Sequence, residues 1–147
     1  MKIFHQYGTK ERLFEIFQRV NKVILNEAIL NKEQRNEIIE EFINFVKNKI
    51  NLSQIPNIEI SYDENDAQKM KSFGLYDGNR LFVIAANRNL ADILRTIAHE
   101  LIHHKQALDG RIKSNSNDTG SDIENEANAL AGVLMREFGQ IKSIIFE

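Results

Sequence analysis

The sequence contains no cysteine and only one proline, Pro56, in 147 residues. The lack of cysteine excludes disulfides and thiolate metal sites, so a bound metal would need His, Asp or Glu ligands. No uncharged apolar run approaches the roughly 20 residues of a membrane span, and the first eight residues contain no apolar signal core. The net charge is only −2, and the basic residues are scattered. We therefore expect a soluble cytoplasmic protein that does not bind nucleic acid or a membrane.

The length predicts a single domain over residues 1–147, with a helical N-terminal part (1–50) and a core (58–138). Between Thr9 and Leu30, apolar residues recur at steps of three and four, which predicts an amphipathic helix: Leu13, Phe14, Phe17, Val20, Ile24 and Ala28. Asn31 and Gln34 form a capping-box pattern that opens a second helix. The predicted core face of that helix consists of Ile38, Ile39, Phe42, Phe45, Val46 and Ile50.

The middle of the chain predicts a small sheet of about three strands. Pro56 breaks the preceding helix, and residues 58–62 then alternate apolar and polar side chains, as in a strand. The acidic residues 63–66 are interpreted as a solvated loop. Asp77-Gly78-Asn79 separates two apolar runs, 72–76 and 80–85, which is a strong hairpin signal.

Two further helices are predicted after the sheet. Asn89 is a candidate N-cap for a helix from about Leu90 to Leu108 that stops at Asp109-Gly110. Residues 113–121 lack apolar side chains and predict a mobile loop. The last helix should run from about residue 122 to 138 and end at Gly139. The complete pattern predicts an α+β fold.

His99-Glu100-Leu101-Ile102-His103 is the most informative motif in the chain. Histidines four positions apart lie on one face of a helix, one turn apart, so both imidazoles can bind a single ion. Glu100 is rotated by about 100° from His99, where it can contact a water on the metal without binding the metal. This is the H-E-x-x-H arrangement of zinc hydrolases, in which the carboxylate is the general base.

A catalytic zinc usually has a third protein ligand. No histidine follows His104 in the chain, so the third ligand would be a carboxylate. Asp109 is expected to lie out of reach on the same helix. The remaining acidic candidates lie in or after the polar loop: Asp118, Asp122, Glu124 and Glu126.

Glu124-Asn125-Glu126-Ala127-Asn128-Ala129-Leu130-Ala131, following H-E-x-x-H, resembles the gluzincin pattern, especially that of the ImmA/IrrE-type metallopeptidases. The resemblance extends over about residues 58–135. It implies that Glu124 is the third zinc ligand and that Ala127 and Ala131 allow two helices to approach closely. It also implies that Asn128 hydrogen-bonds a metal-bound histidine. Glu126 is the competing ligand; its other interpretation is a charge that complements the helix dipole.

The resemblance implies a zincin-like metallopeptidase that binds zinc and hydrolyses a protein or peptide substrate. The chain differs from the family because it has no helix-turn-helix pattern, and Arg136 rather than proline follows Val133-Leu134-Met135. One alternative is a catalytically silent metal-binding domain with a regulatory or phage-type accessory role. Another is a helical interaction module without metal. Glu100 favours the enzyme, because a purely structural site does not need a carboxylate at that position.

Other residues are candidates for supporting roles in the same reaction. Tyr62, Tyr76 and Arg88 are candidate donors to a tetrahedral intermediate, and His104 is either a substrate contact or, more simply, a structural residue. Residues 73–76 or 80–85 are candidates for an edge strand that pairs with the substrate backbone. The loop at 113–121 is a candidate lid, with a plain connector as the simpler interpretation.

Overall fold

The computed structural model describes residues 11–19, 30–112 and 121–146, and this part of the chain has an α+β fold, as predicted. The helices are α1 (11–19), α2 (Lys32–Lys49), α3 (Glu64–Lys69), α4 (Leu90–Leu108) and α5 (Asp122–Ile141). The strands are β1 (Asn57–Ser61), β2 (Gly74–Tyr76) and β3 (Arg80–Ile84), and a short 3-10 helix covers Ser143–Phe146. No helix in the described ranges is both long and apolar enough to cross a membrane.

The first predicted helix is confirmed only over residues 11–19, because the rest of it lies outside the described residues. Leu13, Phe14 and Phe17 are each 61% exposed. The apolar face of this helix is therefore not covered by the other described residues.

Helix α2 begins as predicted. The Asn31 side chain accepts a hydrogen bond from the Gln34 backbone N–H (2.8 Å), and the Gln34 side chain accepts one from the Asn31 backbone (3.0 Å). This reciprocal capping box satisfies two backbone donors that the helix itself leaves unpaired. The predicted core face is largely confirmed. Phe45 and Ile50 are partly buried, and four residues are buried: Ile38, Ile39, Phe42 and Val46.

The sheet has the strand order β1-β3-β2 and is mixed. Strands β1 and β3 pair in parallel, with Ile58 opposite Leu81, whereas β2 and β3 form the predicted antiparallel hairpin, with Tyr76 opposite Leu81. The Asp77 side chain accepts hydrogen bonds from the backbone N–H groups of Asn79 (3.1 Å) and Arg80 (2.9 Å). This local bonding explains why the Asp-Gly sequence closes the hairpin.

The acidic segment after β1 was predicted as a loop, and this prediction is wrong. It forms the short helix α3, with Asp63 as N-cap: the Asp63 carboxylate accepts from the Asn65 backbone N–H (2.8 Å). Glu64 and Asp66 lie in the first turn. Acidic side chains there are stabilised by the partial positive charge of a helix N-terminus.

Helix α4 has the predicted bounds, with Asn89 accepting from the Asp92 backbone N–H (2.9 Å) and Gly110 adopting a φ of +73° just beyond the helix end. Helix α5 begins at Asp122 as predicted but continues past Gly139 to Ile141, so the predicted end is wrong. At Gly139 the missing side chain leaves space for the Phe146 ring, which a Cβ atom would overlap. Gly139 therefore makes room for Phe146 and does not end the helix.

One apolar core joins α2, α4 and α5 to one face of the sheet. Ala127 and Ala131 of α5 are almost fully buried in it, and such small side chains let two helices approach closely. This packing determines how the first turn of α5 faces the middle of α4. The core therefore positions the side chains described next.

Candidate metal centre

Two imidazoles from successive turns of α4 meet at one point. His99 and His103 are separated by one turn, and their Nε2 atoms lie 3.0 Å apart. The rings are almost perpendicular, with centroids 4.5 Å apart. The predicted convergence of the two histidines is therefore present.

Glu124 of α5 completes the cluster. Its Oε1 lies 3.0 Å from His99 Nε2 and its Oε2 lies 3.1 Å from His103 Nε2. The Ser121 side chain caps the helix by accepting from the Glu124 backbone N–H (3.2 Å), which fixes the first turn of α5 beside α4. Glu124 is thereby held in that turn, where the helix dipole favours its negative charge.

The donor set of this cluster suits a divalent cation. Two imidazoles and one carboxylate are a common ligand set for catalytic zinc. Four-coordinate ligands at about 2.1 Å from an ion lie about 3.4 Å apart, slightly farther than the atoms observed here. The residues present can therefore hold such an ion with a small outward adjustment of the side chains. Within the described part of the chain, one group of potential metal ligands has its ligand atoms within 4.8 Å of one another: His99, His103 and Glu124.

The competing carboxylates lie elsewhere. Glu126 forms an ion pair with Arg111, at 2.7 Å between Oε2 and the guanidinium, and this partner lowers the pKa of Glu126. Asp109 pairs with Lys105 (3.3 Å) beyond the end of α4, and Asp122 is exposed. Asp118 lies outside the described residues. Of the acidic candidates described, the structure brings only Glu124 to the two histidines.

Asn128 lies against His99, in side-chain hydrogen-bonding contact with it. Burial and the neighbouring His103 lower the pKa of His99, while Glu124 and Asn128 act in the opposite direction. The largest effect, burial, favours the neutral imidazole. Neutral imidazole is the form that binds a metal.

Glu100 lies beside the cluster and faces a cleft of about 620 Å³ that the three clustered residues also line. Burial raises the pKa of the Glu100 carboxyl, partly offset by His103. Strand β2 packs closely here: a Cβ at Gly74 would lie 3.2 Å from Glu100 Oε1 and 2.8 Å from a methyl carbon of Thr96. Because glycine has no Cβ, residue 74 leaves enough space for the Glu100 carboxyl to occupy this position.

Strand β2 also borders the cleft with its backbone. Phe73 O accepts from the Ile84 N–H (2.8 Å) and the Asp77 N–H donates to Arg80 O (3.1 Å), so the odd-numbered residues bond to β3. Because antiparallel ladders alternate, the N–H and C=O groups of Gly74 and Tyr76 point away from β3. Ser72 Oγ donates to Gly74 O (2.7 Å) on this side. Of the two predicted candidates for a substrate-pairing strand, β2 is at the sheet edge and β3 is central.

The other polar candidates have structural partners. His104 is buried, with Nε2 donating to Gln54 O (3.0 Å) and Nδ1 beside the Tyr76 hydroxyl (2.6 Å). Arg88 donates to Ile84 O (2.8 Å) and to Thr96 Oγ1 (2.7 Å). The Tyr62 hydroxyl donates to Asn36 (2.8 Å). His104 thus has the structural role considered for it. The candidate lid at 113–121 lies outside the described residues, except for Ser121.

Two residues near the site were not predicted from the sequence. Gln106 is buried and contacts His103 Nδ1 through Oε1 (2.7 Å), and Gly74 leaves room for Glu100. The spacing of three positions between His103 and Gln106 on a helix was a usable signal, because residues so spaced are neighbours. Gly74 carried no such signal, since its role depends on the approach of β2 to α4.

No protein-family model, no curated protein and no solved structure matches the chain. The function must therefore be argued from the geometry of this cluster.

Proposed function

We propose that this chain is a zincin-like, zinc-dependent metallopeptidase. One observation carries the proposal: His99, His103 and Glu124 converge from two helices with donor atoms 3.0–3.1 Å apart, at a cleft that Glu100 also lines. A structural zinc site is usually closed by four protein ligands, whereas catalytic sites use three and keep one position open. A three-residue set at an open cleft therefore favours catalysis.

His99, His103 and Glu124 would hold the ion. When bound, zinc lowers the pKa of a coordinated water and polarises a carbonyl. Glu100 would accept a proton from the attacking water and then pass it to the leaving amine. Its raised pKa makes it a stronger base than an exposed glutamate.

The edge of β2 would bind the substrate backbone. Gly74 and Tyr76, whose N–H and C=O groups point away from β3, line the same cleft as Glu100. An extended peptide that pairs with this edge would place a peptide bond above α4. This geometry favours a protein or peptide substrate over a small molecule without a repeating backbone.

The test compares the zinc-loaded wild-type chain with Glu100→Gln on a pool of fluorogenic peptides. Loss of the general base should lower the rate by about 10²–10⁴-fold, while zinc content stays equal because Glu100 is not a ligand. Equal hydrolysis by both proteins would contradict the proposal. Absence of hydrolysis in both, with zinc bound, would favour the catalytically silent metal-binding domain.

A further inference from the structure

Gln106 is a buried polar residue next to the proposed zinc site, and every hydrogen-bonding group of its amide has a partner. It is 1% exposed. Its Oε1 lies 2.7 Å from His103 Nδ1. Its Nε2 donates to Ile123 O (3.1 Å) and to Glu126 Oε2 (3.0 Å).

The partners of Nε2 fix the orientation of the amide. Ile123 O is a carbonyl oxygen, and Glu126 Oε2 is a carboxylate oxygen that the Arg111 guanidinium contacts at 2.7 Å, so both accept hydrogen bonds. An amide turned by 180° would place its oxygen against both of them. Its NH₂ group must therefore face α5, and its oxygen must face His103.

Glu126 is held in place by Arg111. The Arg111 guanidinium donates to both carboxylate oxygens, at 2.7 Å and 3.1 Å. The Arg111 backbone N–H also donates to Gln106 O (2.9 Å). Arg111, Glu126 and Gln106 thus form a closed network that ends on the imidazole of His103.

This network determines which nitrogen of His103 carries the hydrogen. Since Gln106 Oε1 can only accept, the ring nitrogen that faces it, Nδ1, carries a hydrogen. Nε2 lies 3.0 Å from His99 Nε2 and 3.1 Å from Glu124 Oε2, so it is the nitrogen that would bind an ion held between the three residues. We propose that Gln106, oriented by Glu126 and Arg111, is a positioning residue that holds His103 in the tautomer that binds metal through Nε2.

The proposal rests on the proposed zinc site but is not restricted to the loaded protein. It also gives Glu126, which the sequence offered as a competing zinc ligand, a different role. Glu126 orients Gln106, and Gln106 in turn orients the ligand His103. His99 contacts Asn128 instead, so the two imidazoles have independent partners.

The experiment replaces Gln106 by Met, which has a similar length but no hydrogen-bonding amide. Lys105→Met is the matched control, because Lys105 neighbours Gln106 on α4 but pairs with Asp109 outside the site. Zinc affinity is measured by chelator competition. We expect Gln106→Met to weaken zinc binding by about 10–100-fold and Lys105→Met to leave it within about threefold.

A second measurement needs no metal. In zinc-free protein at about pH 8, where an ordinary histidine is neutral, the ¹⁵N shifts of the His103 ring report its tautomer. Both proteins are measured with Glu124→Ala added, so that no carboxylate faces Nε2. With Gln106 present the ring should show a protonated Nδ1 and an unprotonated Nε2, and with Gln106→Met a mixture of tautomers. If wild type binds no zinc, the proposed function fails. The ¹⁵N shifts would still show whether Gln106 determines the tautomer of His103.

Unchanged zinc affinity in Gln106→Met, or a His103 tautomer that is the same with and without the amide, would overturn the proposal. If Gln106→Met does not fold, Glu126→Ala at the more exposed end of the network replaces it. That variant should weaken zinc binding by about 3–10-fold, less than loss of the direct partner, and should partly mix the tautomers. If Glu126→Ala changes neither the zinc affinity nor the tautomer of His103, the proposal is contradicted in the same way.

Discussion

Glu100 owes its position to the absence of a side chain on the neighbouring strand. A Cβ at residue 74 would lie 2.8 Å from Thr96 Cγ2 and 3.1 Å from Glu100 Cγ, closer than such atoms ordinarily approach. In Gly74→Ala either β2 or the Glu100 side chain must move. A general base displaced by about 1 Å can lose roughly 10²-fold in rate.

We therefore expect Gly74→Ala to reduce peptide hydrolysis by about 10–100-fold while zinc stays bound, because Gly74 is not one of the three proposed ligands. Rates and zinc content measured on the same preparation test this. Gly132→Ala is the control, since a Cβ there has no neighbour within 4 Å. Wild-type activity in Gly74→Ala would show that the close contact does not position Glu100.

At the residue scale, spacing on one helix was sufficient to place His99 beside His103 and Glu100 nearby. It was not sufficient to select the third acidic residue, because Glu124 and Glu126 lie on the same helix with only one residue between them. Their separation depends on how α5 rotates against α4, and this rotation is set by the packing of Ala127 and Ala131. Arg111, which forms an ion pair with Glu126, lies shortly after the end of α4.

The hairpin between β2 and β3 supplies a prediction at the scale of the element. Backbone N–H groups of Arg80 and Asn79 lower the pKa of Asp77 below its ordinary value, with a further contribution from the Arg80 charge. Because the folded-state pKa is depressed, the ionised carboxylate adds stability above the unfolded-state pKa. That contribution is lost as the pH falls through the folded-state value.

Asp77→Asn keeps an acceptor but removes the charge. We expect it to be less stable than wild type at about pH 6, and the difference in unfolding free energy to shrink as the pH falls below the ordinary aspartate pKa of about 3.9. Urea unfolding at a series of pH values measures this. A difference that grows as the pH falls would contradict the assigned role of Asp77.

Two glycines of α5 should respond in opposite directions to alanine. At Gly132 the Cβ enters open space, so alanine should stabilise the helix by about 0.5–1 kcal/mol. At Gly139 the Cβ would overlap the Phe146 ring, so the gain in helix propensity should be lost or reversed. Thermal unfolding of both variants tests this, and equal stabilisation would show that Phe146 moves aside without cost.

The elements were predictable where local signals agreed with the packing. The capping residues Asn31 and Asn89 and the turn at Asp77-Gly78 each act over a few neighbouring residues, and all three are present. Helix α3 was missed because Asp63, Glu64 and Asp66 suggested a solvated loop, although acids are also typical of a helix start. The end of α5 was missed because Gly139 serves a contact with residues farther along the chain.

For the whole molecule, the proposed zinc site joins two helices that share the core. A ligand that binds only the folded state stabilises it, by about 2.7 kcal/mol at a free concentration 100 times the dissociation constant. For a chain of this length, that should raise Tm by about 5–10 °C. Differential scanning calorimetry with zinc and then with excess chelator should show the shift and its reversal. A Tm shift in His103→Ala as large as in wild type would point to zinc bound elsewhere.

The most direct test of the central claim is a zinc titration, by calorimetry, of the metal-free chain and three variants. We predict one zinc per chain for wild type and for Glu100→Gln, and loss of this stoichiometric binding in His103→Ala and Glu124→Ala, because only the latter two remove a donor of the cluster. Wild type that binds no zinc, or Glu124→Ala that binds it as tightly as wild type, would contradict the metal site and the hydrolysis proposed at it.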